Sequence, residues 1–136
     1  MEKTSEQIEE DVYRAIKNSS LKDAVKGRIY RDGMRPKDAS DEDVVVKFLA
    51  GADGQEQRGV VLIHIYVPKI SVCTDGETVK DIRRISDLMS VANEVVASIT
   101  NSEYLFEKDA TPKAFPAEGI EQHFINIRLT YRRITF

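Results

Sequence analysis

Apolar residues recur at helical spacing near the amino terminus. Their positions in the first segment are Ile8, Val12, Ala15 and Ile16. This spacing predicts a first helix, with Thr4 and Gln7 placed to form a capping box. A short second helix is predicted over residues 21–26, with Ser20 as its cap and Gly27 closing it.

The longest helical stripe lies between residues 79 and 100. Its apolar positions are Ile82, Ile85, Met89, Ala92, Val96 and Ile99, widened by Leu88 and Val95. Glu77 and Asp81 near its start suit the positive end of a helix dipole. The stripe is typical of a helix packed on a sheet. A partner-binding coiled coil is the alternative, although the heptad pattern lasts only about three turns of the repeat.

Alternating or β-branched runs predict five strands. They cover residues 28–31, 44–49, 60–67, 104–107 and 125–132. A polar segment with glycine turn signals, residues 51–59, joins the second run to the third and predicts an antiparallel hairpin. The last run alternates apolar and polar residues cleanly, which indicates a strand buried on one side.

The third predicted strand is apolar on both sides. One side carries Val61, Ile63, Ile65 and Val67, and the other carries Val60, Leu62, His64 and Tyr66. Such a strand is expected to be covered twice. A helix supplies one cover, and the second is either the first helix or a subunit interface.

The order of elements is α-α-β-β-β-α-β-β, with the strands mostly in hairpins. This order predicts an α+β fold: an antiparallel or mixed sheet of about four to five strands with helices packed on one face. The length of 136 residues allows one domain, residues 1–136, and is too short for two full domains.

The feature of the composition that bears most on function is its charge. The chain has 20 Lys and Arg against 23 Asp and Glu, a net charge of -3. A broad basic face that grips nucleic acid is therefore not expected, because that affinity comes from many cations neutralising phosphates. A local basic patch stays open. The acidic runs at residues 9–11 and 41–43 are expected to form solvated surface.

Neither disulfides nor targeting segments are expected. The single cysteine, Cys73, has no partner for an intramolecular bond, and the opening residues lack the apolar run of a signal peptide. The longest apolar stretch, residues 60–67, is far shorter than the ~20 residues that span a bilayer. An intracellular, reducing compartment is the default expectation.

Residues with catalytic or metal-binding chemistry are few and scattered. His64 and His123 are far apart in sequence, and no spacing of His and Cys matches a zinc site. Cys73 has no neighbouring base to activate it. No glycine-rich phosphate loop lies between a strand and a helix. We therefore expect no catalytic residue, no metal and no cofactor.

Two polar features exceed what a plain core requires. The segment between the second and third strands carries Asp53, Gln55, Glu56, Gln57 and Arg58. It is either a projecting assembly arm or an ordinary hairpin tip. Near the carboxyl terminus, Arg128, Arg132 and Arg133 form either a solvated face or a basic patch toward an acidic partner or DNA.

The order of these segments resembles the tail terminator, or tail-completion, proteins of long-tailed bacteriophages and prophages. The features that carry the resemblance are the first helix, the corner SSLKDAVKGRIYRDG, the strands DVVVKF and VVLIHIYV, the helix beginning VKDIRRISDLM, and the closing strand INIRLTYR. Together they cover nearly the whole chain as an arrangement.

The resemblance implies a structural subunit without catalysis. Such subunits assemble into a ring, commonly a hexamer, that caps the tail tube and joins it to the head connector while DNA passes through without specific binding. The implied location is the host cytoplasm during assembly and then the virion, at the head–tail junction.

This chain departs from the family pattern in its polar insert, residues 35–43, and in the proline-containing loop, residues 108–119. Which loops line the pore or meet the tube is therefore open. The alternative function is a small ligand-binding or enzymatic α+β domain with a pocket near His64 and Tyr66.

Overall fold

The computed structural model describes residues 1–71 and 76–135. In these ranges the chain forms three helices, α1 (Ser5–Lys17), α2 (Ser20–Ala24) and α3 (Ile82–Ile99). The strands are β1 (Ile29–Arg31), β2 (Val44–Ala52), β3 (Glu56–Pro68), β4 (Ile70–Ser71), β5 (Thr78–Val79), β6 (Tyr104–Lys108), β7 (Lys113–Pro116) and β8 (Gln122–Ile134). Cys73 lies outside the described residues. No helix in the described ranges is long and apolar enough to cross a membrane.

Six strands form one mixed sheet in the order β1-β2-β3-β8-β6, with β7 also pairing with β8. β1 runs parallel to β2, whereas β2–β3, β3–β8, β6–β8 and β7–β8 are antiparallel. The predicted α+β class and the β2–β3 hairpin are confirmed. The sheet exceeds the predicted four to five strands because β7 falls in a segment predicted to be a loop. As an edge strand it tolerates Pro116.

The helices bury their apolar faces against one side of the sheet. Tyr131 and the alternate β3 residues Val61, Ile63, Ile65 and Val67 have 1% exposure or less. They join the buried residues of α1, α2 and α3 in one hydrophobic core. Ile85 lies in this core, as the α3 stripe predicts.

The helix boundaries differ locally from the predictions. The Thr4–Gln7 capping box is confirmed, with both side chains accepting the other residue's backbone N–H. Ser19, not Ser20, caps α2, since its Oγ accepts from the Leu21 N–H at 3.3 Å. α2 ends at Ala24, earlier than predicted, because the backbone turns to an extended conformation at Val25.

α3 begins later than predicted because Asp81 caps it. The Asp81 carboxylate accepts from the Arg84 N–H at 3.1 Å. Val79, predicted to be helical, instead pairs with Ile70 in the β4–β5 ribbon. The helix therefore starts where its orphan backbone donors find a side-chain acceptor.

Gly51 and Gly59 lie within strands and not in a turn, which corrects the predicted loop of residues 51–59. They are paired across β2 and β3. A Cβ on Gly59 would come within 2.2 Å of the Ala50 carbonyl oxygen and 2.7 Å of the Tyr131 ring. The two glycines thus let both strands continue beside the buried Tyr131 ring, and the loop shrinks to residues 53–55.

Glu9 is buried, contrary to its assignment to a solvated acidic run. Its Oε1 accepts from Arg31 Nε and its Oε2 from the Phe48 backbone N–H, both at 3.0 Å. The carboxylate therefore fastens α1 to β1 and β2. Burying it is favourable because each oxygen has a donor.

Glu42 and Asp43 are also buried, with 4% and 2% exposure. Arg84 donates to Glu42 through Nε at 2.8 Å and Nη2 at 2.6 Å, which ties α3 to the start of β2. Asp43 accepts from the Arg28 backbone N–H at 2.8 Å and from Arg35 Nε at 3.0 Å. The expectation of a solvated run was wrong here because these partners are distant in sequence.

We expect Glu42→Gln to destabilise the fold by about 2 kcal/mol, because it leaves Arg84 without its carboxylate partner; the partial exposure of Arg84 limits the loss. Chemical denaturation measures the change. Glu94→Gln, at an exposed position of α3, is the matched control and should stay within about 0.5 kcal/mol of the parent. Equal stabilities for the two variants would contradict the structural role of Glu42.

Candidate functional site

The side of the sheet opposite the helices forms the candidate site, which we call the open face. Its outward-pointing residues are Val45, Lys47, Val60, Leu62, His64, Tyr66, Phe124, Asn126, Arg128, Thr130 and Arg132. The four residues from β3 are each partly exposed. In the described chain no helix covers this face, so the second cover predicted for β3 is not supplied by α1.

Apolar and charged side chains alternate across the open face. Leu62 of β3 lies between Lys47 of β2 and Arg128 of β8 in the strand register. Arg128 pairs with Asp109 beyond the end of β6. Two of the three cations on the face, Arg128 and Arg132, are paired with acids at its border, which suits a protein surface with mixed polarity better than a phosphate backbone.

His64 is held in the middle of the open face. Its Nε2 lies 3.1 Å from Asn126 Oδ1, and its ring is centred 4.7 Å from the Phe124 ring. Burial lowers the pKa of His64 from its ordinary value of 6.5, and the bond to Asn126 partly opposes this. The neutral ring is thus the favoured form near neutral pH.

His123 is at the start of β8, away from His64. Burial, followed by the nearby charges of Lys69 and Lys80, lowers the pKa of His123. The two histidines therefore share no site. The described residues contain no group of three or more His, Cys, Asp or Glu side chains placed to hold a metal ion.

A cleft of about 330 Å³ lies beside Tyr66 and Phe124, between the loops at residues 32–37 and 117–120. His64 is not among its lining residues, so the structure does not bring His64 and Tyr66 together in one pocket. The Arg35 guanidinium lies 3.9 Å from the Tyr66 ring centre. Because Arg35 already bonds to Asp43 and Gln122, it is positioned as a wall of the cleft.

The predicted arm residues occupy different environments. Glu56, Gln57 and Arg58 belong to β3, whereas Asp53 and Gln55 are in the turn. Gln57 is only 1% exposed. Its side chain exchanges two hydrogen bonds with the backbone of Lys3, at 3.0 and 2.9 Å.

The turn is also tied to the end of the chain. Thr135 donates to the Gln55 carbonyl from its backbone N–H and from its hydroxyl, both at 2.8 Å. Asp53 Oδ1 accepts from Gln57 at 2.8 Å. These bonds join the hairpin to the end of β8, and among the five predicted residues Gln55 presents the side chain least engaged with the fold.

The three carboxyl-terminal arginines do not form one face, which corrects the prediction. Arg128 and Arg132 are on the open face, and Arg132 donates to Glu56 at 3.0 and 3.1 Å. Arg133 points to the opposite side, because successive residues of a strand alternate, and is 8% exposed. It bonds to Glu103 at 2.5 Å and to Gln57 at 3.0 Å.

Sequence reasoning did not single out Lys47, Asp109 and Asn126 as members of this surface. Alternation placed Asn126 on the polar side of the last strand with Arg128 and Thr130, and Lys47 on the same side of its strand as Val45 and Leu49. Their grouping with Leu62 and His64, however, depends on the register between strands. Nothing in the sequence marked Asp109 as part of this surface, because its partner Arg128 belongs to β8 and the contact depends on the fold.

No family model matches the chain, and no curated protein matches it. Among solved structures, 25 chains match. One of these, a protein whose name states no function, is similar over 93% of this chain and 96% of its own, with 13% sequence identity and a TM-score of 0.50. Likeness at this identity concerns the fold alone, and it extends over nearly the whole α+β arrangement.

We expect His64 to titrate below 6.5 and its pKa to fall further in Asn126→Leu. That variant keeps the ring covered but removes the acceptor that favours the protonated form. Imidazole NMR signals measure both values. Stability from neutral His64 is present above pH 6.5 and is lost as the pH falls through the pKa of the folded state.

His123 is the internal reference for this titration, since it makes no contact with Asn126. Its pKa should not change in Asn126→Leu. A rise in the His64 pKa, or an equal shift of both histidines, would contradict the described environment of His64.

Proposed function

We propose that the chain is a structural phage or prophage protein of the tail terminator type. In this proposal copies of the chain form a ring, commonly a hexamer, that caps the tail tube and joins it to the head connector. The role is mechanical and requires neither catalysis nor a cofactor. The assignment rests on the resemblance of the segment order to this family, together with the properties of the open face.

The observation that carries the proposal is the outer side of β3, which no helix of the described residues covers. Val60, Leu62, His64 and Tyr66 follow one another on a central strand and are partly exposed. An apolar row at the centre of a sheet is normally covered, because exposing it forgoes roughly 25 cal/mol for each Å² of apolar surface. A neighbouring subunit provides such a cover in an assembly.

Charge supports a protein partner over a grip on DNA at this surface. The cations Arg128 and Arg132 are neutralised by Asp109 and Glu56. Paired charges of both signs offer register and specificity to a second protein surface. A phosphate backbone would need unpaired cations. This fits DNA that passes a ring without being specifically bound.

The partners in this proposal are further copies of the chain, the tail tube and the head connector. The host cytoplasm is the place of assembly, and the virion is the final location. The small-ligand alternative has the cleft beside Tyr66 as its best support, but that cleft excludes His64. A strict monomer that binds a small molecule beside Tyr66 would favour the alternative.

We expect Leu62→Glu to block self-association while leaving the fold intact. The new carboxylate would lie between Lys47 and Arg128, so the free subunit tolerates it, whereas burial in an interface leaves its charge poorly solvated. Association should weaken more than tenfold, about 1.4 kcal/mol. Analytical ultracentrifugation and negative-stain microscopy measure it in concentrated protein, alone and with a tail tube protein.

Ser90→Glu is the matched control, because it adds the same charge at an exposed position of α3. Thermal denaturation should show both variants folded, and Ser90→Glu should assemble as the parent does. A parent protein that stays monomeric alone and with the tube protein would overturn the proposed function. If Leu62→Glu forms rings as readily as the parent protein, the open face is not part of the subunit interface.

A further inference from the structure

A second surface lies at the corner where α1 and α2 meet the β1 edge of the sheet. It is a cleft of about 370 Å³. Its walls include three cations and three partly buried side chains, namely Lys17, Lys22, Arg28, Tyr13, Ile29 and Tyr30. This volume is in the range of small-molecule sites, about 300–1,000 Å³.

Arg28 stands out in this cleft because most arginines of the described residues have an acidic partner and Arg28 has none. Eight arginines, from Arg14 to Arg133, each lie within 4.0 Å of a carboxylate. Among residues 1–71 and 76–135, Arg28 and Arg83 are the arginines that lack one. Lys17 and Lys22 have no carboxylate within that distance in the same ranges.

Positive charge is concentrated in this part of the chain, although the chain as a whole is negatively charged. Residues 17–28 contain four cations and one acid, Asp23, whereas the chain as a whole has a net charge of -3. Lys17 in the last turn of α1 also suits the negative end of the helix dipole. That explanation does not extend to Lys22, which is in the five-residue helix α2, or to Arg28, which directly precedes β1.

The backbone at Arg28 is held by hydrogen bonds, whereas its side chain has no carboxylate partner among the described residues. The Arg28 N–H donates to Asp43 at 2.8 Å, and the Arg28 carbonyl accepts from the Val44 N–H at 2.9 Å. The Gly27 N–H donates to the Glu42 carbonyl at 2.8 Å. Since both acids are buried, the floor of the cleft is anchored to β2, and its geometry does not depend on a ligand.

Aromatic rings line the same cleft. Lys17 Nζ lies 5.6 Å from the centre of the Tyr13 ring, within the range of a cation–π contact. Tyr30 is on the edge strand β1, and both rings are partly exposed. Exposed rings beside unpaired cations are the combination that binds a base together with its phosphate.

We infer that this cleft binds the phosphate of a nucleotide unit, with Lys22, Arg28 and Lys17 on the phosphate and the Tyr13 and Tyr30 rings against the base. The unit is either a free nucleotide or part of a single strand, since both carry the same chemistry. An acidic peptide would use the cations but has no base to place on the rings. This inference is independent of the proposed ring and concerns a different surface.

The test measures binding of three phosphate probes at low salt by fluorescence anisotropy or competition: labelled oligo(dT), AMP and inorganic phosphate. Lys22→Ala/Arg28→Ala should weaken oligo(dT) binding at least tenfold. It should also reduce the slope of log affinity against log salt by about 1 to 2, since single strands lose roughly 0.7 per phosphate contact. Lys80→Ala/Arg83→Ala removes the same charge from exposed positions elsewhere and should match the parent.

A second variant tests the aromatic contribution. Tyr30→Leu should weaken oligo(dT) about fivefold or more and leave inorganic phosphate unchanged, because only a base stacks on the ring. Backbone NMR of the parent gives a direct readout, with the Gly27 amide signal moving on addition of AMP. This measurement does not depend on any variant folding.

Several results would overturn the inference. They are no binding of any phosphate probe, equal losses in the two double variants, or polyglutamate competing as well as oligo(dT). Duplex DNA binding as tightly as oligo(dT), without dependence on Tyr30, would also overturn it, because a duplex keeps its bases stacked away from the rings. Stronger binding of oligo(dT) than of AMP identifies a strand as the ligand source, and the reverse identifies a free nucleotide.

Discussion

The pairing of β3 with β8 is the constraint on which the rest of the molecule depends. It is continuous from Glu56 opposite Ile134 to Pro68 opposite Gln122. Because side chains alternate along a strand, a slip of β8 by one residue against β3 would turn Ile127 out of the core and bring Arg128 in. The same register that builds the core therefore also composes the open face.

The remaining elements attach to this pair through a few buried polar groups at the sheet margin. Glu9 holds α1 against β1 and β2, and Glu42 holds α3 through Arg84. Each carboxylate is surrounded by donors, so its desolvation is compensated. The apolar core does not specify which end of a helix meets which strand, whereas a bonded carboxylate does. These acids thus supply orientation that packing alone leaves loose.

Much of the fold was predictable because periodicity records burial. α1, α3 and β8 each bury one side, and the spacing of their apolar residues shows it, whereas β3 is apolar on both sides although the helices cover only one. The acids were not predictable, because Glu42 reads like any residue in a polar run until Arg84 is known to face it. The ion-pair partners of Arg132 and Arg133 were not predictable for the same reason. Alternation puts them on opposite sides, but the acids that pair with them come from elsewhere in the chain, Glu103 just before β6 and Glu56 at the start of β3.

Two surfaces of the protein differ in how their charges are arranged, and the net charge of the whole chain does not show this difference. On the open face Arg128 and Arg132 are paired with Asp109 and Glu56, whereas Lys47 has no carboxylate within 4.0 Å among the described residues. At the corner of α1, α2 and β1 the cations are unmatched, so Arg28 keeps its full attraction for an anion. A net charge of -3 is compatible with both, because it is a sum over the whole chain and does not show where the charges lie. The proposed protein-binding face and the proposed phosphate site therefore differ in whether their arginines are already paired with acids.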